Sequence, residues 1–261
     1  MKNQLPERFK LPSPFKTIIY ICSILFIIYS LDGAGISISE LIEGFPNMGR
    51  ILAEMWPPTL SRPEKIAEAL LVTFQMAVAG TVLGVIVSLP LGVLASRNQS
   101  PHPMIRKFSR GLISFARTVP DLIWALFFVA SVGLGPFAGT LALMIDTIGF
   151  AGRFFAEAIE EVQPGPEQAL AAIGSSWSGR IICAVFPAAL PSFIATSLFC
   201  LEKATRSSVV LGLVGAGGIG IELKVAMDMF RYAEAAGIIL LIFVLVVIVE
   251  AISSWARKKI I

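Results

Sequence analysis

No charged residue stands between Glu68 and Arg97. The intervening stretch, Ala69 to Ser96, is apolar nearly throughout. It exceeds the roughly 20 residues a helix needs to cross the hydrocarbon core of a bilayer. Inside lipid every backbone N–H and C=O must be bonded within the protein, so such a run is read as a helix. The composition agrees: 56% of residues are hydrophobic, only 15% are charged, and the mean hydropathy is +0.80. These values mark an integral membrane protein. The net charge is only +3, and the basic residues sit in short clusters. Nucleic-acid binding, which needs a broad basic face to neutralise phosphates, is set aside. The single His102 and three scattered cysteines exclude His-rich metal sites and zinc ribbons, and leave Ser-His-Asp chemistry only that one histidine. Cys22, Cys183 and Cys200 lie in or beside apolar segments and read as three free buried thiols.

Five further crossings are expected. Thr17 to Leu31 is short but uncharged, with Lys16 free to snorkel, and reads as a retained span rather than a cleaved signal. Leu122 to Ile145 is interrupted by Gly-Leu-Gly-Pro at 133–136, which ends one span and starts the next. A fifth span begins near Ile181 and a sixth covers Tyr232 to Ser254. Excess Lys and Arg in short loops mark the cytoplasmic side. The N-terminal tail carries Lys2, Arg8, Lys10 and Lys16 against Glu7, and the C-terminal tail carries Arg257, Lys258 and Lys259. The segment after the second span carries Arg97, Arg106, Lys107, Arg110 and Arg117 with no acid before Asp121. All three should be cytoplasmic, and six spans satisfy this arrangement. The chain is therefore expected to comprise a tail, first span and external loop over 1–65, a transmembrane core over 66–254, and a basic tail over 255–261.

Glu157 to Pro191 reads EAIEEVQPGPEQALAAIGSSWSGRIICAVFPAALP. Pro164-Gly165-Pro166 should stop the preceding helix. Glu167 to Ile173 is a short amphipathic helix by its Ala/Leu spacing, and Gly174 ends it in a left-handed conformation. A second helix starts near Ser175 or Ser176, either of which can cap it, and runs to Pro187. A helix-glycine-helix elbow on the cytoplasmic face is a docking element.

This elbow resembles the EAA loop of ABC importer permeases. Gly174 and Pro187 keep the family's separation; Gln168, Ala169 and Leu170 stand where Glu-Ala-Ala belongs, with Glu167 displaced by one; Ala184 and Phe186 replace the family's Ile and Leu. Three blocks together resemble the phosphonate-transport permeases: VGLGPFAGTLAL at 132–143, EEVQPGPEQALAAIG at 160–174 and ATRSSVVLGLVGAGGIG at 204–220. The likeness runs from about residue 66 to the C-terminus. It implies an all-α membrane protein of about six transmembrane helices with the type I ABC importer fold and a cytoplasmic coupling helix. It also implies a homodimer of permeases in the bacterial inner membrane, two ATPase subunits and an external substrate-binding protein. The chain has no Gly-x-x-x-x-Gly-Lys-Ser/Thr, so ATP and magnesium are expected on the partner subunits and no cofactor on this one. The residues expected to couple to the ATPase are Gln168, Ala169, Ala172, Gly174, Ser175 and Pro187.

Glu202 and Arg206 share one helix face near the middle of the expected fifth span, where an ionised side chain is costly unless paired or functional. One reading has Arg206, Ser207 and Ser208 lining an anion path, with Glu202 holding the guanidinium; Arg suits a phosphonate because its planar fork donates two bonds. The other is a structural ion pair that pins the span to a neighbour. Asp146 either faces inward with Arg153 or pairs with Arg206, and Lys203 points away from the Glu202–Arg206 face, to snorkel or to meet a second copy. Arg117 and Asp121 read as a local helix-end pair. Gly212 to Gly220 follows an apolar helix rather than a strand, so it is a close-packing turn and not a dinucleotide loop. Glu222, Lys224, Asp228 and Arg231 read as an external mixed-charge surface. Alternatives in function are a type I permease for another small nutrient, such as an amino acid, or an ion-coupled secondary transporter with Asp146 and Glu202 as proton sites. An intramembrane hydrolase lacks every expected nucleophile motif.

Overall fold

Helices are the only regular elements among the described residues, 13–260, of the computed structural model. The expected cytoplasmic charges Lys2, Glu7, Arg8 and Lys10 lie outside the described residues. The chain divides into two units, Met1–Ala53 and Glu54–Ile261.

The first unit holds α1 (Pro14–Gly33), apolar on every face, and most of α2 (Ile38–Glu54). Pro14 opens α1 at a position where its missing N–H costs nothing. Leu41, Phe45, Met48 and Leu52 recur at helical spacing along α2, while Glu40, Glu43 and Asn47 take other faces. This helix lies in what was expected to be a plain external loop.

The second unit is built around α3 (Pro63–Ala95), α6 (Pro136–Glu161) and α9 (Phe186–Gly212), which pack on one another. The α3–α6 contact is close because α3 carries Gly80, Gly84, Ser88 and Gly92 at intervals of one turn. A Cβ placed on Gly84 would stand 2.5 Å from the Thr147 Cβ, and one on Gly92 would stand 2.8 Å from the Phe155 Cβ. Small residues let helix backbones approach where lipid supplies no hydrophobic drive between them.

The expected third span is only half present. α5 (Asp121–Val132) has 12 residues, about 18 Å at helical rise, too short to cross alone. It continues from α4 (Pro103–Thr118) through a bend of 89° at Val119-Pro120. Proline disfavours a helical conformation in the residue before it, which accounts for the break. Four stretches are long and apolar enough to cross a membrane: α1, α3, the continuous run Trp177–Gly212, and α11 (Tyr232–Ile260). The bent pair makes five. A sixth crossing rests on α6, which has 26 residues but carries Asp146 and Arg153 along its length.

The elbow differs from expectation at both ends. α7 (Pro164–Ala172) starts three residues earlier than expected, because Pro164 opens the helix rather than merely stopping the previous one. α8 (Trp177–Arg180) does not end at Pro187. It runs through a π-helical turn, Ile181–Val185, directly into α9. The widened turn precedes Pro187, whose ring would otherwise press on the carbonyl four residues back.

At the opposite end, Gly133 and Gly135 turn α5 into α6, and Gly215, Gly217 and Gly218 turn α9 into α10 (Ile219–Asp228). All five have positive φ. The two turns are tied where Gly135 N donates to Gly215 O at 3.0 Å, and Ile219 N donates to Thr73 Oγ1 of α3 at 2.7 Å. Of the three cysteines only Cys200 is buried; Cys22 and Cys183 lie on outward helix faces, which corrects the expectation of three buried thiols.

Candidate functional site

Two groups of residues carry the chemistry: the elbow and the charged face of α9. In the elbow, Gly174 has φ +82°, the left-handed conformation that glycine adopts without penalty. Gly174 N donates to Ala171 O and Ser175 N to Leu170 O, each at 3.0 Å. This pair of bonds is the Schellman closure of a helix C-terminus. Ser176, not Ser175, caps α8, accepting from Gly179 N at 3.2 Å.

Gln168, Ala169 and Ala172 are exposed on α7, Gly174 is exposed and Ser175 half-buried, and Pro187 is exposed on α9. Ile173 at the bend is 80% exposed, an apolar tip facing outward. The inner side of the elbow is fastened by Gln99, which the sequence reading missed. Its amide Nε2 donates to Glu167 Oε2 at 2.7 Å, and its backbone carbonyl accepts from Trp177 Nε1 at 2.9 Å. Gln99 is buried in the α3–α4 loop and so grips both arms of the elbow at once. A polar residue among basic neighbours had no periodic signal to single it out.

The α9 charges are paired differently from every expected arrangement. Glu202 is buried and its Oε1 forms an ion pair with Arg257 Nη2 of α11 at 2.8 Å, not with Arg206. Arg257 lies in the last turn of α11, so this pair ties the end of α11 to α9. Asp146 pairs with Lys203, whose Nζ reaches both carboxylate oxygens at 2.7 and 2.8 Å and stands 5.5 Å from the Phe150 ring centre. Asp146 therefore meets neither Arg206 nor Arg153, and Lys203 turns from Glu202 to α6. Arg153 pairs with Glu157 at 2.8 Å on its own helix. Arg117 and Asp121 form no pair; the 89° bend separates their helix faces. Glu222 is buried against Lys65 (2.8 Å) and Arg62 (3.5 Å), so it does not belong to an exposed external surface.

These pairings leave Arg206 exposed and without a hydrogen bond or ion pair among the described residues. Phe199, Lys203, Arg206 and Val210 follow one another at steps of three and four residues and form the outward strip of α9. Ser207 is half-buried beside it. Ser208 is buried and its hydroxyl donates to Thr205 O at 2.9 Å, so it faces the bundle rather than the strip. At the glycine-loop end a 630 Å³ concavity opens between α3, Pro136 and α10, with Lys65, Glu68, Lys224 and Asp228 on its walls.

Residues 88–260 match the model of a family described as binding-protein-dependent transport system inner membrane component. The chain is 38% identical to the phosphite transport system permease protein PtxC of Stutzerimonas stutzeri over 220 residues, covering 84% of this chain and 80% of that one. It is 38% identical over 218 residues to the phosphate-import permease protein PhnE of Mycolicibacterium smegmatis, covering 83% of this chain; it spans 41% of that protein's length. Among solved structures the inward-facing MetNI methionine ABC transporter resembles it with a TM-score of 0.66 at 20% identity, over 77% of this chain and all of that one. The match to about two thirds of its length, together with this all-helical fold, makes the chain a member of the binding-protein-dependent transport inner membrane component family: a multi-pass transport permease with the type I ABC importer fold.

Proposed function

We propose that the chain is the permease subunit of an ABC importer for a phosphorus oxyanion, a phosphonate or phosphite. The observation that carries this reading is the unpaired guanidinium of Arg206 on the outward strip of a membrane helix. A charge facing hydrocarbon there costs a few kcal/mol even on the gentler scales, so the strip faces water or a second protein surface. Arg206 keeps its donors free for a ligand while Lys203 is already neutralised by Asp146. A planar fork of N–H donors suits a tetrahedral oxyanion. Ser207 can add a hydroxyl beside it. Glu202 and Ser208 hold the helix in place from its inner side, and Asp146 sets the charge of the strip by balancing Lys203. Relatives named for phosphite and phosphate import support a phosphorus oxyanion over an amino acid.

Two copies of the chain enclose the path, and an external binding protein delivers the anion at the glycine-loop end. Two ATPase subunits seat at the elbow, against Gln168, Ala169, Ala172, Ile173 and the Gly174–Ser175 bend, and bind ATP and its magnesium ion. Pro187 stands where the elbow's second arm joins α9, so movement of the elbow reaches the Lys203–Arg206 strip along one continuous helix. Both termini and the elbow face the cytoplasm. The segment over 66–254 acts as the transport core and 1–65 as an accessory span and loop, while the basic residues of 255–261 close α11 on the cytoplasmic side rather than forming a separate tail.

The test is uptake of phosphite and of a phosphonate by cells whose only importer contains this chain. Arg206→Gln should lower uptake about tenfold or more, the worth of a charged hydrogen bond of about 1.5–3 kcal/mol. Unchanged uptake of every phosphorus oxyanion tried would remove the reading.

A further inference from the structure

A second concavity, of 390 Å³, opens at the elbow end of the bundle between the last turn of α3, α4 and the lower half of α6. Four guanidinium side chains line it, Arg97, Arg110, Arg117 and Arg153, against two carboxylates, Glu157 and Glu160. The carboxylates are already engaged. Glu160 Oε1 accepts from Arg110 Nη2 at 2.5 Å and from the backbone N–H of Arg97 at 2.7 Å. Arg110 Nε is held by Ala95 O at 2.7 Å. Glu157 takes Arg153. The guanidinium groups of Arg97 and Arg117 have no hydrogen bond or ion pair among the described residues. Two positive charges in this concavity are therefore uncompensated.

The crowding follows from how α4 sits on α6. A Cβ on Gly149 would stand 2.7 Å from the backbone N of Arg117, and one on Gly152 would stand 3.1 Å from Ile113 Cγ1. Gly149 thus admits the backbone of α4 and Gly152 the Ile113 side chain, which brings the α4 arginines to the helix that carries Arg153. Like charges gathered around one concavity repel, and packing holds them there. An anion of charge two relieves the repulsion and fills the free donor forks, which a monovalent halide can do only in part.

We infer that this concavity is a binding site for a phosphate-class dianion, separate from the α9 strip. Free inorganic phosphate and the phosphate of an anionic lipid headgroup share that chemistry. The volume exceeds a single phosphate group, so the remainder holds water or the organic part of a phosphomonoester or headgroup. A site at the elbow end would report the anion concentration on that side to the helices that carry the elbow, because Glu160 ties the α3–α4 loop to α6 and Gln99 ties the same loop to α7.

The test uses the full chain in nanodiscs of phosphatidylcholine, followed by its thermal unfolding midpoint at fixed ionic strength. Inorganic phosphate should raise the midpoint saturably where chloride does not. Arg97→Gln/Arg117→Gln should weaken the apparent affinity about tenfold or more, with Arg97→Lys/Arg117→Lys weakened less because the charge is retained. These two side chains bond to nothing among the described residues, so the variants should fold. Arg206→Gln removes the α9 strip as a binder, so a phosphate shift that remains in that variant belongs to the concavity. If phosphate is silent but replacing part of the phosphatidylcholine by phosphatidylglycerol stabilises the unaltered chain and not the double Gln variant, the site stands with a lipid headgroup as its source. If the phosphate response disappears in Arg206→Gln and survives in the double variant, the site is overturned and the α9 strip is the binder. If neither phosphate nor phosphatidylglycerol separates the unaltered chain from the double variant, the inference is wrong.

Discussion

Glu202 and Arg257 show how one pairing decides the roles of several charges. Removing Arg257 leaves a carboxylate that is 6% exposed with no counter-charge. Breaking a buried pair in this way costs about 3–5 kcal/mol. Arg257→Ala should therefore lower the thermal unfolding midpoint sharply, and Glu202→Gln/Arg257→Ala should recover part of the loss. If the single and double variants unfold alike, the pair is not a structural tie. Lys203 gives a contrasting case. Its Nζ bridges both oxygens of Asp146 between α6 and α9. Asp146→Asn frees a second cation on the α9 strip, which should tighten anion binding and slow release, seen as a lower KM together with a lower maximal uptake rate. A fall in uptake with KM unchanged would count against a place for Lys203 in the path.

At the scale of elements, the elbow turns on Gly174. Its Cβ position is open, with nothing within 4 Å, so a side chain there meets no neighbour. The penalty is conformational: a left-handed backbone costs a β-branched residue about 1–2 kcal/mol, and Asn much less. Gly174→Val should reduce uptake strongly while the protein still reaches the membrane, and Gly174→Asn should retain most of it. Equal loss in both would mean that the outward surface, not the bend, matters. The α3–α6 contact is the opposite case, limited by space. Gly84→Leu would drive a side chain into Thr147 and the Met144 carbonyl, the latter 2.9 Å from a Cβ. Overpacking of this kind costs about 1–3 kcal/mol or more. The expected result is loss of detergent-stable monodisperse protein on size-exclusion chromatography, and a normal profile would contradict the packing described.

For the whole molecule, the distribution of basic residues orients the bundle. The α3–α4 loop and α4 (Arg97, Arg106, Lys107, Arg110 and Arg117), Arg180 of the elbow and the end of α11 (Arg257, Lys258 and Lys259) carry nine of the chain's 21 lysines and arginines, and under the positive-inside rule this supports the proposed cytoplasmic placement of the elbow end. With Cys22 and Cys183 first replaced, since both are exposed, a membrane-impermeant thiol reagent should label Gln163→Cys only in inverted vesicles. It should label Asp228→Cys in intact spheroplasts. Labelling from the same side at both positions would overturn the assignment of the ATPase to the elbow.

The membrane class, the positions of the apolar runs, the elbow with its glycine stop and the two glycine turns were legible in sequence. Each is local: a run of uncharged residues, a positive-φ requirement or a helix stop is written in neighbouring positions. The same holds for the resemblance to phosphonate permeases, carried by three contiguous blocks. The helix over 38–54 is not legible in the same way, because Gly44, Pro46 and Gly49 punctuate it as they would a loop. The ion pairs between helices did not follow from sequence. Spacing placed Glu202 and Arg206 on one face, but Glu202 turns to Arg257, 55 positions away (257 − 202), because α11 packs beside α9. Lys203 found Asp146, and Gln99 found Glu167 and Trp177, for the same reason. A charge buried in a bundle takes whatever partner helix packing brings within a few ångströms, and which helices are adjacent is a property of the tertiary structure alone.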